Sequence, residues 1–197
     1  QTRLDSVSWL GDVYKRQNQC RVHPIILKSL SHFSAMGRAE TDQVRGMAMD
    51  VLGNGLTGAK HYEEAVSVQE AELSMRRRIG PTEFNILVTQ SNLAITYQRL
   101  GRVEAALSLR RDVYFGTLKL RGAEDRSTLK EVNNYANSLG VLERFEEARS
   151  LLRQTIPVAR RVFGENDQCT LTMRINYARA LFLDDVATLG DIREAMS

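Results

Sequence analysis

The stretch Asn92-Leu93-Ala94 recurs as Asn134-Tyr135-Ala136 and again as Asn176-Tyr177-Ala178, so each copy lies 42 residues after the one before it. Two further markers keep this register. They are the glycines Gly80, Gly122 and Gly164, at steps of 42, and short glutamate-containing stretches that end at Ala65, Ala106 and Ala148, at steps of 41 and 42. Three markers in one register predict an internal repeat, and a period of this length is typical of stacked helical units.

Each repeat is predicted to contain two helices. In the second repeat, apolar side chains from Phe84 to Leu100 lie at helical spacing on two sides, as expected for a helix between two neighbours. A turn at Gly101-Arg102 follows, and a second amphipathic stretch begins at Val103. Gly122 is expected to end that helix in the left-handed conformation. The polar loops after the glycines offer Asp or Ser to cap the next helix.

Small residues occupy the positions where the helices are expected to meet. They are Ala65, Ala94, Ala106, Ala136, Ala148 and Ala178. A hairpin of two such helices has an apolar face that it cannot bury alone, so successive hairpins must stack. The sequence therefore predicts an all-α fold, a right-handed α-solenoid of antiparallel helix hairpins.

These motifs and their 42-residue interval resemble tetratricopeptide repeats of the kinesin light chain type. The resemblance covers 41–197 and implies hairpins at 41–80, 81–122 and 123–164, with a truncated fourth at 165–197, as in a fragment. The fourth repeat also carries five inserted residues around 184–188. Sustained heptads, which would form the coiled coil of true kinesin light chains, do not occur in the sequence. The resemblance therefore implies the fold and not a motor role.

Two features depart from an ideal helical repeat. Gly53, Gly55 and Gly58 lie in the first predicted helix, and each costs up to about 1 kcal/mol relative to alanine. That helix is expected to be frayed or to have a shifted boundary. Pro157 lies deep in the second helix of the third repeat and cannot donate to the carbonyl of Arg153. A kink or an early end is expected there.

The first 40 residues do not follow the repeat. Residues 7–17 resemble translated sequencing-adapter sequence, above all Asp12-Val13-Tyr14-Lys15-Arg16-Gln17. The rival interpretation, a degenerate repeat, conflicts with the spacing of Trp9 next to Leu10-Gly11. We therefore expect 1–17 to be an adapter-derived segment, disordered or irregular. The stretch 18–40 is unassigned and has room for one helix.

Composition argues against several classes of function. The net charge is only +3, and the two signs alternate along the chain, which disfavours nucleic acid as a partner. Cys20 and Cys169 lie far apart and suit neither a disulfide nor a zinc site. No signal peptide or membrane-spanning run is present, so a cytoplasmic protein that does not bind membranes is expected.

No constellation in the sequence calls for catalysis. The three histidines, His23, His32 and His61, occupy unrelated positions without a metal-binding pattern. The glycines of 53–58 lack the lysine of a phosphate-binding loop. We expect no enzyme activity, no metal and no cofactor.

The resemblance implies that the first helices line a concave groove that holds a peptide. The candidate peptide-binding residues are Asn54, Asn92, Gln98, Lys130, Asn134, Asn137, Asn176 and Arg179. An asparagine amide suits this role because it donates and accepts hydrogen bonds at once. Lys130, Arg174 and Arg179 favour an acidic ligand. The alternative is that the asparagines bond to the adjacent hairpin and only stabilise stacking.

The resulting hypothesis is a non-enzymatic protein–protein interaction scaffold that binds a segment of a protein partner in this groove. The alternative is a regulatory or structural repeat region of a larger signalling protein that contacts other domains of its own chain. The sequence leaves the identity of the partner and the oligomeric state open.

Overall fold

The computed structural model describes residues 38–80, 82–183 and 190, and this part of the chain forms seven helices and no strand. In chain order they are α1 (Arg38–Gly58), α2 (Tyr62–Ile79), α3 (Glu83–Arg99), α4 (Val103–Arg121), α5 (Arg126–Val141), α6 (Phe145–Phe163) and α7 (Gln168–Leu183). The predictions for the adapter-like segment, for residues 18–37, for the insertion around 184–188 and for a second helix of the fourth hairpin lie outside these residues.

The chain divides into two compact units, 1–48 and 49–197. Of the first unit the structure describes residues 38–48, which form the beginning of α1. There Arg45 Nη1 donates to Asp42 Oδ1 at 3.4 Å. The second unit contains the rest of α1 and the helices α2 to α7, and it carries all the residues discussed below.

Stacked hairpins form the second unit. Loops of three or four residues join consecutive helices, and such short connections make neighbouring helices antiparallel. Each helix from α2 to α7 packs against the next, and α5 also contacts α7. In the first hairpin, Met49 and Leu56 of α1 pack against Ala65 and Val68 of α2. The all-α solenoid of helix hairpins that the sequence predicts is confirmed.

The core lies where successive hairpins meet. One cluster joins α5, α6 and α7 and consists of Leu129, Val132, Ala136, Leu152, Ile156, Ala159, Met173, Tyr177 and Leu181. Five of the six small residues singled out by the repeat are almost fully buried, namely Ala65, Ala94, Ala106, Ala136 and Ala148. Ala178 on α7 is instead exposed, whereas α6 and α7 cover the equivalent residue of α5, Ala136.

Glycines and aspartates define the helix ends. Gly80 ends α2 in the left-handed conformation, with φ 69° and ψ 47°. Gly122 was expected to do the same for α4, but its ψ of 170° with φ 86° is extended, a region essentially limited to glycine. The predicted caps are confirmed: Asp125 accepts from the backbone N–H of Ser127 and Asp167 from that of Cys169, each at 2.8 Å.

Of the two outcomes expected for α1, fraying at its glycines is wrong, whereas the boundary is shifted, since the helix begins at Arg38, before the predicted start of the repeat at 41. The helix continues through Gly53 and Gly55 and ends at Gly58. A Cβ built on Gly53 would lie 2.7 Å from Cγ of Gln69, a side chain that is 1% exposed. The glycine therefore allows α2 to pack closely, and tertiary packing outweighs its low helix propensity.

Of the two outcomes expected at Pro157, an early end of α6 is wrong, since the helix continues to Phe163, and a kink stays a prediction. Pro157 lies on the exposed side of α6, opposite the buried Leu152, Ile156 and Ala159. Its missing N–H deprives the carbonyl of Arg153, another exposed residue, which water can reach. Burial of the apolar side outweighs the lost hydrogen bond.

Candidate binding surface on the first helices

The first helices of the hairpins, α1, α3, α5 and α7, carry every residue predicted to bind a peptide. Asn54 lies on α1, Asn92 and Gln98 on α3, Lys130, Asn134 and Asn137 on α5, and Asn176 and Arg179 on α7. We call the surface that these eight residues mark the first-helix face. All eight lie within the second unit of the chain.

Asn92 links α3 to α1. Its Nδ2 donates to Oδ1 of Asp50 at 2.9 Å. Asp50 lies 42 residues before Asn92 and therefore holds the same position in its own repeat. Asn54, one turn further along α1, donates to the same oxygen at 3.2 Å. Because a carboxylate only accepts hydrogen bonds, Asp50 fixes which way round the Asn92 amide lies.

Asn134 is held by an acid on its own helix. Its Nδ2 donates to Oε2 of Glu131 at 3.2 Å. Nη1 of Arg110, which reaches this point from α4, lies 3.6 Å from the same carboxylate oxygen and donates to the hydroxyl of Ser91 at 3.1 Å. Ser91 in turn donates to Oε1 of Glu131 at 3.4 Å. The network thus joins helices of the second and third hairpins.

Arg110 is the buried charge of this network, with a side chain only 7% exposed. Burial lowers the pKa of its guanidinium below the usual value, and the negative charge of Glu131 partly offsets that shift. The ion pair therefore neutralises Glu131 and makes the centre of the first-helix face electrically neutral.

Two hydrogen bonds join α5 and α7. Nδ2 of Asn176 donates to Oδ1 of Asn133 at 2.9 Å, and Nη2 of Arg179 donates to Oδ1 of Asn137 at 2.8 Å. Asn176 is buried, with 8% of its surface exposed, whereas Arg179 is exposed. These bonds, like that of Asn92, cross from one hairpin to the next. They therefore agree with the alternative in which the asparagines stabilise the stacking of the hairpins.

The stacking bonds leave polar capacity on the three equivalent asparagines. Each amide has two N–H groups and an oxygen that accepts two hydrogen bonds. In the structure each of the three donates one hydrogen bond to a protein partner. The same residues therefore brace the stack and have polar groups beyond those that the bonds use, and their assignment to peptide binding stays a prediction.

The positive side chains on this surface differ in how they are engaged. Lys130 is exposed and forms no ion pair among the described residues, and Arg179 bonds only to a neutral amide. Arg174, which the sequence suggested for an acidic ligand, is instead held by Glu165 at 2.7 Å. Gln98 is half-buried on α3.

A buried polar cluster lies behind the first-helix face at α1, α2 and α3. The hydroxyl of Thr96 donates to Oε1 of Gln69 at 2.7 Å. Glu72, which is fully buried, accepts from Arg76 Nε at 2.6 Å and from the Thr89 hydroxyl at 3.0 Å. Burial raises the pKa of Glu72 above its usual value, although Arg76 and Thr89 act in the opposite direction.

Sequence reasoning missed Asp50, Ser91, Arg110, Glu131 and Asn133. Asp50 has a usable signal, since it is found by counting one repeat back from Asn92. Arg110 has none, because it lies on a second helix and reaches the surface only through the stacking of α4 against α3 and α5.

A surface depression lies elsewhere, between α4 and the end of α5. Its volume is about 440 Å³, and it is lined by Glu104, Leu107, Ser108, Arg111, Tyr135, Leu142 and Arg144. None of the predicted peptide-binding residues takes part in it. A shallow, continuous surface of helices, such as the first-helix face, does not require a closed cavity.

The described ranges 38–80 and 82–183 contain neither a candidate metal site nor a candidate membrane-spanning helix. No group of three His, Cys, Asp or Glu residues there is arranged to hold a metal ion. No helix in the same ranges has the length and apolarity that crossing a bilayer requires.

Part of the chain is similar in sequence to a known protein family. A family model described as tetratricopeptide repeat matches residues 86–114 and 132–168, which include most of α3 to α6. No curated protein sequence matches the chain.

Solved structures resemble the chain in fold. A Podosopora anserina protein, described as a kinesin light chain with nearly identical TPR-like repeats, is 19% identical with a TM-score of 0.64, covering 98% of this chain and 90% of its own. Its Q17M form gives 0.65 at the same identity and coverage. BtubC (BKLC) from P. vanneervenii is 15% identical with a TM-score of 0.58, covering 87% of this chain and 75% of its own.

At such identities a likeness to solved structures shows the fold alone. The family model adds the identity of the repeat unit for the segments that it matches. The resemblance stated from the Asn-Leu/Tyr-Ala motif and the 42-residue interval is thereby confirmed. Residues 86–114 and 132–168 thus match tetratricopeptide repeats, and the fold of the chain is similar to that of kinesin light chain-like proteins.

Proposed function

We propose that the chain is a non-enzymatic protein-interaction module whose first-helix face binds an extended segment of a partner protein. Arrays of tetratricopeptide repeats are in general scaffolds for protein partners. The observation that carries the proposal is the row of Asn92, Asn134 and Asn176, one on each of three successive first helices, with amide groups left over after their internal bonds.

The spacing of this row suits an extended peptide. Neighbouring helix axes lie about 10 Å apart, and an extended chain advances about 3.3 Å per residue. One asparagine is thus presented for roughly every third residue of a ligand. Each amide has both a donor and an acceptor for the ligand's backbone, which makes the recognition independent of most ligand side chains.

Positive charge adds selectivity for the ligand at the end of the first-helix face that α5 and α7 form. Lys130 and Arg179 are exposed and carry positive charges that no acidic residue of the described chain neutralises within ion-pair distance. A carboxylate of the ligand would gain a charge-assisted hydrogen bond from either group. We therefore expect the bound segment to carry an acidic residue over α5 and α7.

A peptide-array screen with the full chain tests this function. Peptides that bind should lose most of their affinity to the double variant Asn134→Ala with Asn176→Ala. The matched control is Asn166→Ala, which removes an exposed loop asparagine away from the first-helix face. Circular dichroism must show an intact helical fold for both. Unchanged binding of every hit to the double variant would refute the assignment of this surface.

A further inference from the structure

The charges along the first-helix face are distributed unevenly. Asp50 lies at the end formed by α1 and α3, whereas Lys130 and Arg179 lie at the end formed by α5 and α7. Between them, the charge of Glu131 is matched by Arg110. The face is therefore negative at one end, neutral and polar in the middle, and positive at the other end.

The carboxylate of Asp50 is held by neutral groups only. Its Oδ1 accepts from the amides of Asn54 and Asn92, and it forms no ion pair among the described residues. Glu72, the acid that interacts electrostatically with Asp50 from the inner side of the helices, is buried and already paired with Arg76. Asp50 is half-buried at the surface, so its negative charge remains available to a ligand.

The positive end is equally uncompensated. Arg179 is exposed, lies against α5 near Gly140 and donates to the neutral oxygen of Asn137. Lys130 projects from the same helix, α5, without an ion-pair partner in the described ranges. Among the described residues, no hydrogen bond or ion pair connects either residue to Asp50, so each end keeps its own sign.

We infer that the first-helix face selects an extended segment with charges of opposite sign at its two ends, a basic residue over Asp50 and an acidic residue over Lys130 and Arg179, with neutral residues between. This inference rests on the function proposed above. With helix axes about 10 Å apart, the two ends lie about 20–30 Å from each other, which an extended segment of about six to nine residues spans.

Pools of nine-residue fluorescent peptides provide the test. Each pool has a randomised neutral interior and fixed end residues: Lys with Glu, Glu with Lys, Glu with Glu, or Lys with Lys. Both mixed orders are included because charge alone does not fix the direction of the backbone. By anisotropy, at least one mixed pool should bind the full chain about threefold to fivefold more tightly than either uniform pool.

Variants of the chain show which charged residues cause the preference for a mixed pool. Asp50→Asn keeps an oxygen for Asn92 and removes only the charge, so it should abolish the preference of the mixed pool over the Glu–Glu pool. Lys130→Gln with Arg179→Gln should abolish the preference over the Lys–Lys pool. The control is Glu104→Gln, an exposed acid on α4, which should change neither preference.

The possible failures are distinguishable. Equal affinities of the four pools, lost in the Asn134→Ala with Asn176→Ala variant, would refute the charge selection and leave the proposed binding surface standing. A charge preference that survives Asp50→Asn would also refute it. Absence of binding by every pool would refute the proposed function together with this inference.

Discussion

Glu72 is a buried acid whose pKa departs from its ordinary value. It is fully buried, its Oε1 is engaged by Arg76 and Thr89, and its Oε2 has no hydrogen-bond partner. Burial disfavours the charged form, so the pKa of its carboxyl is raised. An acid with a raised pKa binds its proton more tightly in the folded state than in the unfolded state.

Glu72 therefore predicts a pH dependence of stability. Its favourable contribution is fully present below the ordinary value of 4.5 and is lost as the pH rises through the raised pKa. Urea unfolding of the wild type and of Glu72→Gln should show the free-energy difference changing in favour of the variant as the pH rises above 4.5. Parallel pH profiles of the two proteins would contradict this prediction.

The helix α1 shows how one element depends on its neighbour. Three glycines lie in its last six residues, yet it continues because Gly53 gives room to the buried Gln69 of α2. Gly55, two residues later, has no atom within 4 Å of the position that a Cβ would occupy, and it is exposed. The same residue type therefore serves packing at one position and only weakens the helix at the other.

Alanine substitutions should separate these two roles. Gly53→Ala places a methyl group against Gln69 and should lower the free energy of unfolding by about 1–3 kcal/mol. Gly55→Ala meets open space and should raise it by roughly 0.5–1 kcal/mol. Thermal or urea unfolding measures both. Two changes of the same sign would show that packing at Gly53 does not control this helix.

The helix α6 tolerates Pro157 because the missing hydrogen bond lies on its exposed side. Pro157→Ala should restore a donor to the Arg153 carbonyl and raise the free energy of unfolding by about 1–3 kcal/mol. The control is Gln154→Ala on the same exposed side, which should change it by less than about 0.5 kcal/mol. A loss of stability in Pro157→Ala would mean that the proline stabilises the stacked helices.

Polar side chains bridge the hairpins of the whole array. Arg110 of the second hairpin meets Glu131 of the third, and Asn133 of the third meets Asn176 of the fourth. In a repeat array, stability is the sum of the units and of the interfaces between neighbours. A polar bridge at an interface thus couples the folding of adjacent hairpins.

The pair Arg110–Glu131 should show this coupling in a double-mutant cycle. Glu131→Gln leaves the buried guanidinium of Arg110 without its counter-charge and should cost about 1–3 kcal/mol. Arg110→Met in the Glu131→Gln background should cost less than it does in the wild type. Urea unfolding of the four proteins measures the interaction, and additivity within about 0.5 kcal/mol would show that the two residues act independently.

The sequence by itself determined the repeat, the helix pairs and their caps. These follow from periodic spacing and from local backbone chemistry, which a residue such as Asp125 or Gly80 carries wherever the chain folds. The row of equivalent asparagines was found in the same way, by counting along the chain.

Only the tertiary structure decided what those residues meet. Counting does not tell that Gly53 faces Gln69 or that Arg110 reaches Glu131 from another helix. Such contacts depend on how far and at what angle one hairpin rests on the next. The physical reason is that helix propensity and capping act within a few residues, whereas burial and charge pairing act between helices, across 16 residues for Gly53 and Gln69 and 21 for Arg110 and Glu131.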